Sequence, residues 1–225
     1  MALFLIFIGS LFGPMIRART KQHPNSFFGM TQLLTKRRHV LGGACAAAAI
    51  FAWGHSHAAP SPGRFTLRGT VFEQAAARSG VDPYLLYSVA LLESGFGHGK
   101  GSVGPWFWTL RAPTNAFYLD ARAEAEAKLR DLLRHSSLVD VGAMQINVRW
   151  NGHRVATPSQ LLDPTTNIQV GADILAEALA SSPRDLALGV GRYHNWSDLA
   201  RAQNYGLRAL AVRSNLQALS EGRRP

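Results

Sequence analysis

The chain has 225 residues, of which 47% are hydrophobic, and a formal net charge of +10. This length and composition fit a globular protein with one well-buried domain and a processed leader. Residues 1–58 hold six basic and no acidic residues, which leaves 18 basic and 14 acidic residues in the remainder. The net charge therefore describes mainly the N-terminal segment, and no nucleic-acid partner is expected.

Residues 1–58 are predicted to be a leader with an export signal. The stretch TKRRHVLGGACAAAAIFAWGHSHAAP has a basic start, an apolar run from Val40 to Trp53 and a small-x-small cleavage site ending at Ala58. This layout is typical of a signal peptide. The adjacent Arg37 and Arg38 suit either a twin-arginine or a Sec signal.

Export predicts a periplasmic location. Met30 would start a signal of normal length, so translation is expected to begin there. A further apolar run is interrupted by Pro14, short of a bilayer span, and it leaves an N-terminal membrane anchor as the alternative. Cys45, the only cysteine, lies in the leader, so no disulfide framework is expected.

A linker is predicted at residues 59–69, followed by a folded domain at residues 70–219 and a tail at residues 220–225. The first helix should end at Gly80, a residue type that favours a helix C-terminus. Asp82 and Pro83 should open the next helix, which continues to about Ser94.

The middle of the chain has a different texture. The aromatic runs SVGPWFWTL and NAFYL, separated by RAPT, predict one small β-hairpin. Asp120 is expected to cap the helix ARAEAEAKLRDLLRH, and Gly142 to open a short helix through GAMQINVRW.

The remaining elements are predicted from proline and serine signals. They are a brief turn at Pro158, a helix from Pro164 to Ala180, a helix from Pro183 to about Tyr193, and a last helix from Ser197 to about Leu219. The predicted fold class is mainly α (α+β), a single domain of about seven helices with one small β-hairpin.

Glu93 is the first candidate functional residue. On a helix it shares one face with Leu86, Val89 and Ala90, so its carboxyl group lies on the stripe expected to face the core. Removal of a carboxylate from water favours its protonated form, which a general acid needs. The alternative is a terminal glutamate turned to solvent or paired with an arginine.

Four motifs occur in a fixed order: ESGF, GAMQIN, LLDPTTNIQVGADIL and ALGVGRYHNW. This order resembles the lytic transglycosylase family of the soluble (SLT) type, which reads E-S-x-F, G-L-M-Q, N-I-x-x-G and then tyrosine-asparagine. The resemblance covers about residues 70–205. It implies a lysozyme-like fold and an enzyme whose partner is the glycan strand of peptidoglycan.

The resemblance also implies roles for single residues. Glu93 would be the catalytic acid and base, and Ser94 would help to position substrate or carboxylate. Asn167 and Ile168 match a motif with a chiefly structural role, and Gly171 a helix-packing glycine. The implied substrate-binding residues are Ser94, Met144, Gln145, Asn147, Tyr193 and Asn195.

Two departures from the family pattern stand out. Tyr193, His194, Asn195 and Trp196 replace the usual tyrosine-asparagine-alanine-glycine, which puts an asparagine contact there in doubt. The stretch between Phe96 and Asp140 is longer than the usual loop. This insert resembles a subset of transglycosylases that accompany conjugative-transfer and secretion machinery, whose components are expected partners.

DVGAMQINVRW also resembles a run in C-type lysozymes that starts with their second active-site carboxylate. By this resemblance Asp140 becomes a second catalytic candidate for hydrolysis, as in the two-carboxylate mechanism of lysozyme. The alternative is a structural aspartate at a helix start or in a turn before Gly142.

The family mechanism needs only one glutamate. The acid protonates the bridging oxygen and then, as a carboxylate, takes a proton from the muramic acid's own C6 hydroxyl, which closes a 1,6-anhydro ring. A different class of function is a glycan-binding assembly factor with little catalysis, in which Trp106, Trp108 and Trp150 stack on sugars or pack in the core. The histidines show no metal-ligand spacing such as H-E-x-x-H, so no metal or cofactor is expected.

Overall fold

The computed structural model describes residues 64–99 and 102–223. The predicted leader, with Cys45 and Met30, lies outside the described residues. None of the helices in the described part is long and apolar enough to cross a membrane.

The first two helices begin and end where the sequence predicts. Helix α1 spans Val71–Ser79 and ends at Gly80, which has a left-handed φ of 68°. Helix α2 spans Pro83–Ser94, and its N-cap Asp82 accepts a hydrogen bond from the backbone N–H of Leu85. Because α2 is apolar on nearly all sides, it is buried in the core and carries its last residues into the interior of the domain.

The strands form two antiparallel groups instead of the one predicted hairpin. The strands are β1 (Gly95–Gly99), β2 (Ser102–Pro105), β3 (Thr109–Arg111), β4 (Ala116–Tyr118), β5 (Asp140–Val141) and β6 (Ile146–Asn147). The first two form a hairpin, and the others form a sheet of order β4-β3-β5-β6. The predicted hairpin corresponds to β3 and β4, whereas β1 is the glycine-rich GFGHG, which lacks the β-branched residues typical of strands.

Two expected helix starts in the middle of the chain are wrong. Helix α3 spans Arg122–Leu133 and its N-cap is Ala121, without a side-chain cap, so Asp120 does not cap it. Gly142 opens a turn that leads into β6, and helix α4 begins only at Val148. Pairing of β6 with β5 takes residues that the sequence pattern assigned to a helix. Helix α4 (Val148–Asn151) is followed by 3₁₀ turns at Gly152–Arg154 and Pro158–Leu162.

The last three helices are α5 (Pro164–Ala180), α6 (Leu186–His194) and α7 (Leu199–Ser220). The predicted starts at Pro183 and Ser197 are wrong, because Asp185 and Asp198 are the N-caps. Each aspartate accepts a hydrogen bond from the backbone N–H three residues later.

Helices α1, α5 and α7 pack around α2, and α6 packs along both α5 and α7. Two glycines bring α6 and α7 unusually close. A Cβ at Gly191 would lie 1.8 Å from the carbonyl oxygen of Ala202, and a Cβ at Gly206 would lie 1.7 Å from that of Ala187. The predicted fold class, mainly helical with a small antiparallel strand region, is confirmed.

Candidate active site

The four-stranded sheet presents one row of side chains to the core and the next row to a cleft. Leu110, Val141 and Ile146 are cross-strand neighbours, and all are buried. The adjacent row consists of Arg111, Asp140 and Asn147, which line the cleft. Because strand side chains alternate between faces, the register that buries the apolar row also aligns the polar one.

Glu93 lies on the floor of this cleft, in the last turn of α2. Its side chain is only 14% exposed, whereas Leu86, Val89 and Ala90 on the same face are fully buried. The glutamate is therefore neither turned to solvent nor paired with an arginine, the alternatives that its position in the sequence left open. Its carboxylate oxygen Oε1 accepts a hydrogen bond of 2.7 Å from the hydroxyl of Tyr205.

The pair α6 and α7 forms the wall that faces Glu93. The Nδ1 atom of His194 lies 3.3 Å from Glu93 Oε1. The imidazole stacks on the Tyr205 ring, with centroids 4.5 Å apart and planes 3° from parallel. Burial, together with the charge of Glu93, holds the pKa of Tyr205 well above its ordinary value, so the phenol stays a donor to Glu93.

Asn167 on α5 holds the turn between β5 and β6 in place. Its amide group is buried and makes three hydrogen bonds: it accepts from Met144 N at 2.8 Å and donates to the carbonyls of Val141 and Leu161 at 2.8 and 2.9 Å. Gly171 on α5 packs against Met144, where an added Cβ would lie 2.6 Å from Cγ. Both residues therefore support the turn, as the family motif implied.

Two predicted substrate-binding side chains do not reach the cleft. Ser94 is buried, and its hydroxyl donates to the carbonyl oxygens of Ala143 at 2.7 Å and Ala90 at 3.1 Å. Met144 is fully buried in the core. Neither side chain lines the cleft in this structure, and the hydroxyl of Ser94 instead joins the end of the Glu93 helix to the turn.

The other four predicted binding residues line the cleft. Gln145 has a left-handed φ of 47°, and its Nε2 donates to the carbonyl of Gly142 at 2.9 Å. Tyr193 donates its hydroxyl to the Met144 carbonyl at 2.6 Å. The Oδ1 atom of Asn195 accepts from the backbone N–H groups of Ser197 and Asp198, which shapes the turn after α6. The fourth residue is Asn147.

Asp140 lies in the same cleft as Glu93, on β5. Its Oδ1 accepts a hydrogen bond of 2.7 Å from Asn147 Nδ2. Burial is the largest influence on this carboxyl group and raises its pKa; Glu93 acts in the same direction, while Asn147, Arg111 and His194 oppose it. The carboxyl group of Asp140 is thus held by Asn147 in the row of sheet side chains that lines the cleft. Because Asp140 lies on strand β5, it does not cap a helix, which was one of the predicted alternatives.

The cleft has a volume of about 840 Å³ and is lined by both aromatic and charged groups. Trp150 is 65% exposed and Trp196 is 59% exposed, both on the cleft. By contrast, Trp106 and Trp108 are half-buried and pack with neighbouring side chains. Of the three tryptophans proposed for sugar stacking, only Trp150 lies on the cleft.

Several cleft residues were missed at the sequence level. Tyr205 lies 112 residues from Glu93 and belongs to no recognised motif, so only the docking of α7 reveals it. His194 and Trp196 were noticed only as departures from a pattern. Arg111 is placed by the register of β3 with β5, which the sequence did not predict. Within the described residues, no group of three or more histidine, cysteine, aspartate or glutamate side chains is arranged to hold a metal ion.

Comparison with known proteins gives one result at the level of families. The model of the family described as the transglycosylase SLT domain matches residues 70–215. The match runs from the N-cap of α1 into α7. It includes the strands and the α6–α7 pair that line the cleft. No curated protein and no solved structure matches the chain.

Proposed function

The chain belongs to the transglycosylase SLT family, and from this premise we propose that it cleaves the β-1,4 bond between N-acetylmuramic acid (MurNAc) and N-acetylglucosamine (GlcNAc) with formation of 1,6-anhydroMurNAc. Members of this family are lytic transglycosylases that act on peptidoglycan, and the chain is such an enzyme. The observation that carries the finer proposal is the largely buried Glu93, which lines the cleft and accepts a hydrogen bond from Tyr205.

The proposed reaction uses Glu93 twice. As an acid it gives its proton to the glycosidic oxygen while the bond from MurNAc C1 to that oxygen breaks, and GlcNAc leaves with a 4-hydroxyl group. As a carboxylate it then takes the proton of the MurNAc C6 hydroxyl, whose oxygen bonds to C1. The attacking group is already part of the substrate, so it competes well against water.

Hydrolysis with Asp140 as the second carboxylate is the competing reaction at the same cleft. That role requires an ionised group free to face the sugar. One oxygen of Asp140 accepts a hydrogen bond from Asn147, which holds the carboxyl group in the row of sheet side chains. This bound position favours the intramolecular reaction.

The cleft surface supports a glycan as the substrate. Exposed tryptophans such as Trp150 and Trp196 offer apolar faces on which sugar rings stack. Gln145, Asn147 and Asn195 add polar side chains to the lining of the cleft, where sugar hydroxyl groups need hydrogen-bond partners. These groups also suit the alternative of a glycan-binding assembly factor, which would bind without releasing product.

Digestion of purified sacculi tests the three possibilities together. Mass spectrometry of products from the wild type, Glu93→Gln and Asp140→Asn is expected to show 1,6-anhydro ends, a loss of about 10²- to 10⁴-fold in rate for Glu93→Gln, and continued cleavage by Asp140→Asn. Reducing-end products heavier by one water would replace transglycosylation by hydrolysis. Unchanged release by Glu93→Gln, with binding intact, would remove Glu93 as the acid.

We further propose that the enzyme is exported to the periplasm and opens the wall locally for an envelope-spanning apparatus, during its assembly or during conjugation. The signal pattern of residues 1–58 supports export, and the long insert between Phe96 and Asp140 supports the link to such machinery. A reporter that is active only outside the cytoplasm, fused after residue 69, tests the first point. Loss of apparatus assembly with a Glu93→Gln copy as the sole source tests the second.

A further inference from the structure

The oxygen atoms of Glu93 have unequal surroundings. Oε1 accepts the Tyr205 hydroxyl at 2.7 Å and lies 3.3 Å from His194 Nδ1. Within the described residues, no hydrogen bond reaches Oε2. One oxygen is therefore anchored by two side chains of the α6–α7 wall, while the other is left for the substrate.

The position of His194 follows from the close packing of α6 and α7. Gly191 allows α6 to approach the backbone of α7 at Ala202, and Gly206 allows α7 to approach α6 at Ala187. His194 follows Gly191 by one helical turn, and Tyr205 directly precedes Gly206. The two rings consequently stack almost parallel, and this stack directs Nδ1 toward the carboxylate.

We propose that His194 is a positioning residue of the transglycosylase reaction. It donates from Nδ1–H to Oε1 of Glu93 alongside Tyr205, and thereby orients Oε2 to give the proton to the glycosidic oxygen and later to receive the C6 hydroxyl proton. This inference rests on the proposed function. His194 itself touches neither proton, and its contribution is the orientation of the carboxyl group.

The tests separate the donor of His194 from its bulk. In His194→Asn the amide Nδ2 replaces ring Nδ1 at about the same distance from the backbone. In His194→Gln the amide nitrogen is Nε2, which lies one bond further from the backbone. His194→Phe keeps a ring for stacking on Tyr205 and has no donor. Because the His194 side chain is 42% exposed, all three replacements are tolerable for folding. His135→Phe, an exposed histidine after α3, is the matched control.

Initial rates of glycan release from sacculi give kcat and KM, and thermal unfolding reports the fold. The Gln and Phe variants are expected to lose about tenfold in kcat, as for one lost hydrogen bond, with KM within about twofold. The Asn variant should stay within about threefold of the wild type, and the control should match it. Wild-type kcat in the Phe and Gln variants, or an equal loss in all three, would overturn the proposal.

The same rates keep this inference separate from the reaction type. If the wild-type product proves to be a hydrolysed end, the 1,6-anhydro proposal fails, yet the ratio between the Asn and Gln variants still reports whether His194 orients Glu93. If the product is 1,6-anhydroMurNAc and the Asn and Gln variants do not differ, only the role of His194 is refuted.

Discussion

Replacement of Asn167 by alanine should destabilise the domain more than any exposed substitution. The amide of Asn167 makes three buried hydrogen bonds of 2.8–2.9 Å to backbone groups around the β5–β6 turn. Alanine would leave one N–H and two carbonyl groups without partners, at roughly 1 kcal/mol or more for each. The expected loss is therefore about 3 kcal/mol of unfolding free energy.

For a domain of this size, about 3 kcal/mol corresponds to a fall in Tm of about 6–12 °C. Activity should also be lower than that of the wild type at assay temperatures well below the new Tm. The reason is that the turn carries the Met144 carbonyl, which accepts the hydrogen bond of the Tyr193 hydroxyl. Thermal unfolding and sacculus digestion at one temperature measure both effects.

Asn204→Ala is the matched control, since Asn204 is exposed on α7, and its substitution should change stability by no more than about 0.5 kcal/mol. If Asn167→Ala lowers the Tm by less than about 2 °C and keeps wild-type activity, the view that this amide supports the turn is refuted.

Three further changes have defined outcomes. Gly191→Ala places a Cβ 1.8 Å from the carbonyl oxygen of Ala202, so the α6–α7 pair must separate. We expect the free energy of unfolding, measured with denaturant, to fall by about 1–3 kcal/mol and kcat to decrease. If both quantities stay unchanged, the close packing of the two helices is contradicted. Burial raises the pKa of Asp140 in the folded state, so the wild type loses stability relative to Asp140→Asn as the pH rises from the ordinary aspartate value, about 3.9, to the raised folded-state value. The Tm of Asp140→Asn minus that of the wild type should therefore become more positive over this interval and stay constant above it. A difference that does not change with pH from about pH 3 upwards would count against the prediction. Trp150→Ala and Trp196→Ala should each raise KM about three- to tenfold with little change in kcat, and steady-state digestion kinetics in which neither KM changes would exclude sugar stacking.

Local signals in the sequence predicted much of the helical framework. The Asp82-Pro83 pair and Gly80 bound the first two helices because caps and left-handed glycines act within a few residues. Glu93 was placed on the inner face of α2 by helical periodicity alone. Features that depend only on near neighbours along the chain are thus encoded in short stretches of sequence.

Features that depend on docking are not encoded in this way. The register that aligns Arg111, Asp140 and Asn147 is set by pairing between distant strands. Tyr205 meets Glu93 only after α7 packs against α2. Ser94 and Met144 were assigned to the substrate by their place in the motifs, yet the structure uses them to hold the core together.

The two groups that hold Glu93 are contributed by segments 101 and 112 residues further along the chain. Without α7 docked against α2, Glu93 would therefore lack the hydrogen bond from Tyr205 that orients its carboxyl group. Because Tyr205 lies on α7, we expect a copy of the chain that lacks this helix to cleave peptidoglycan poorly even though it carries Glu93.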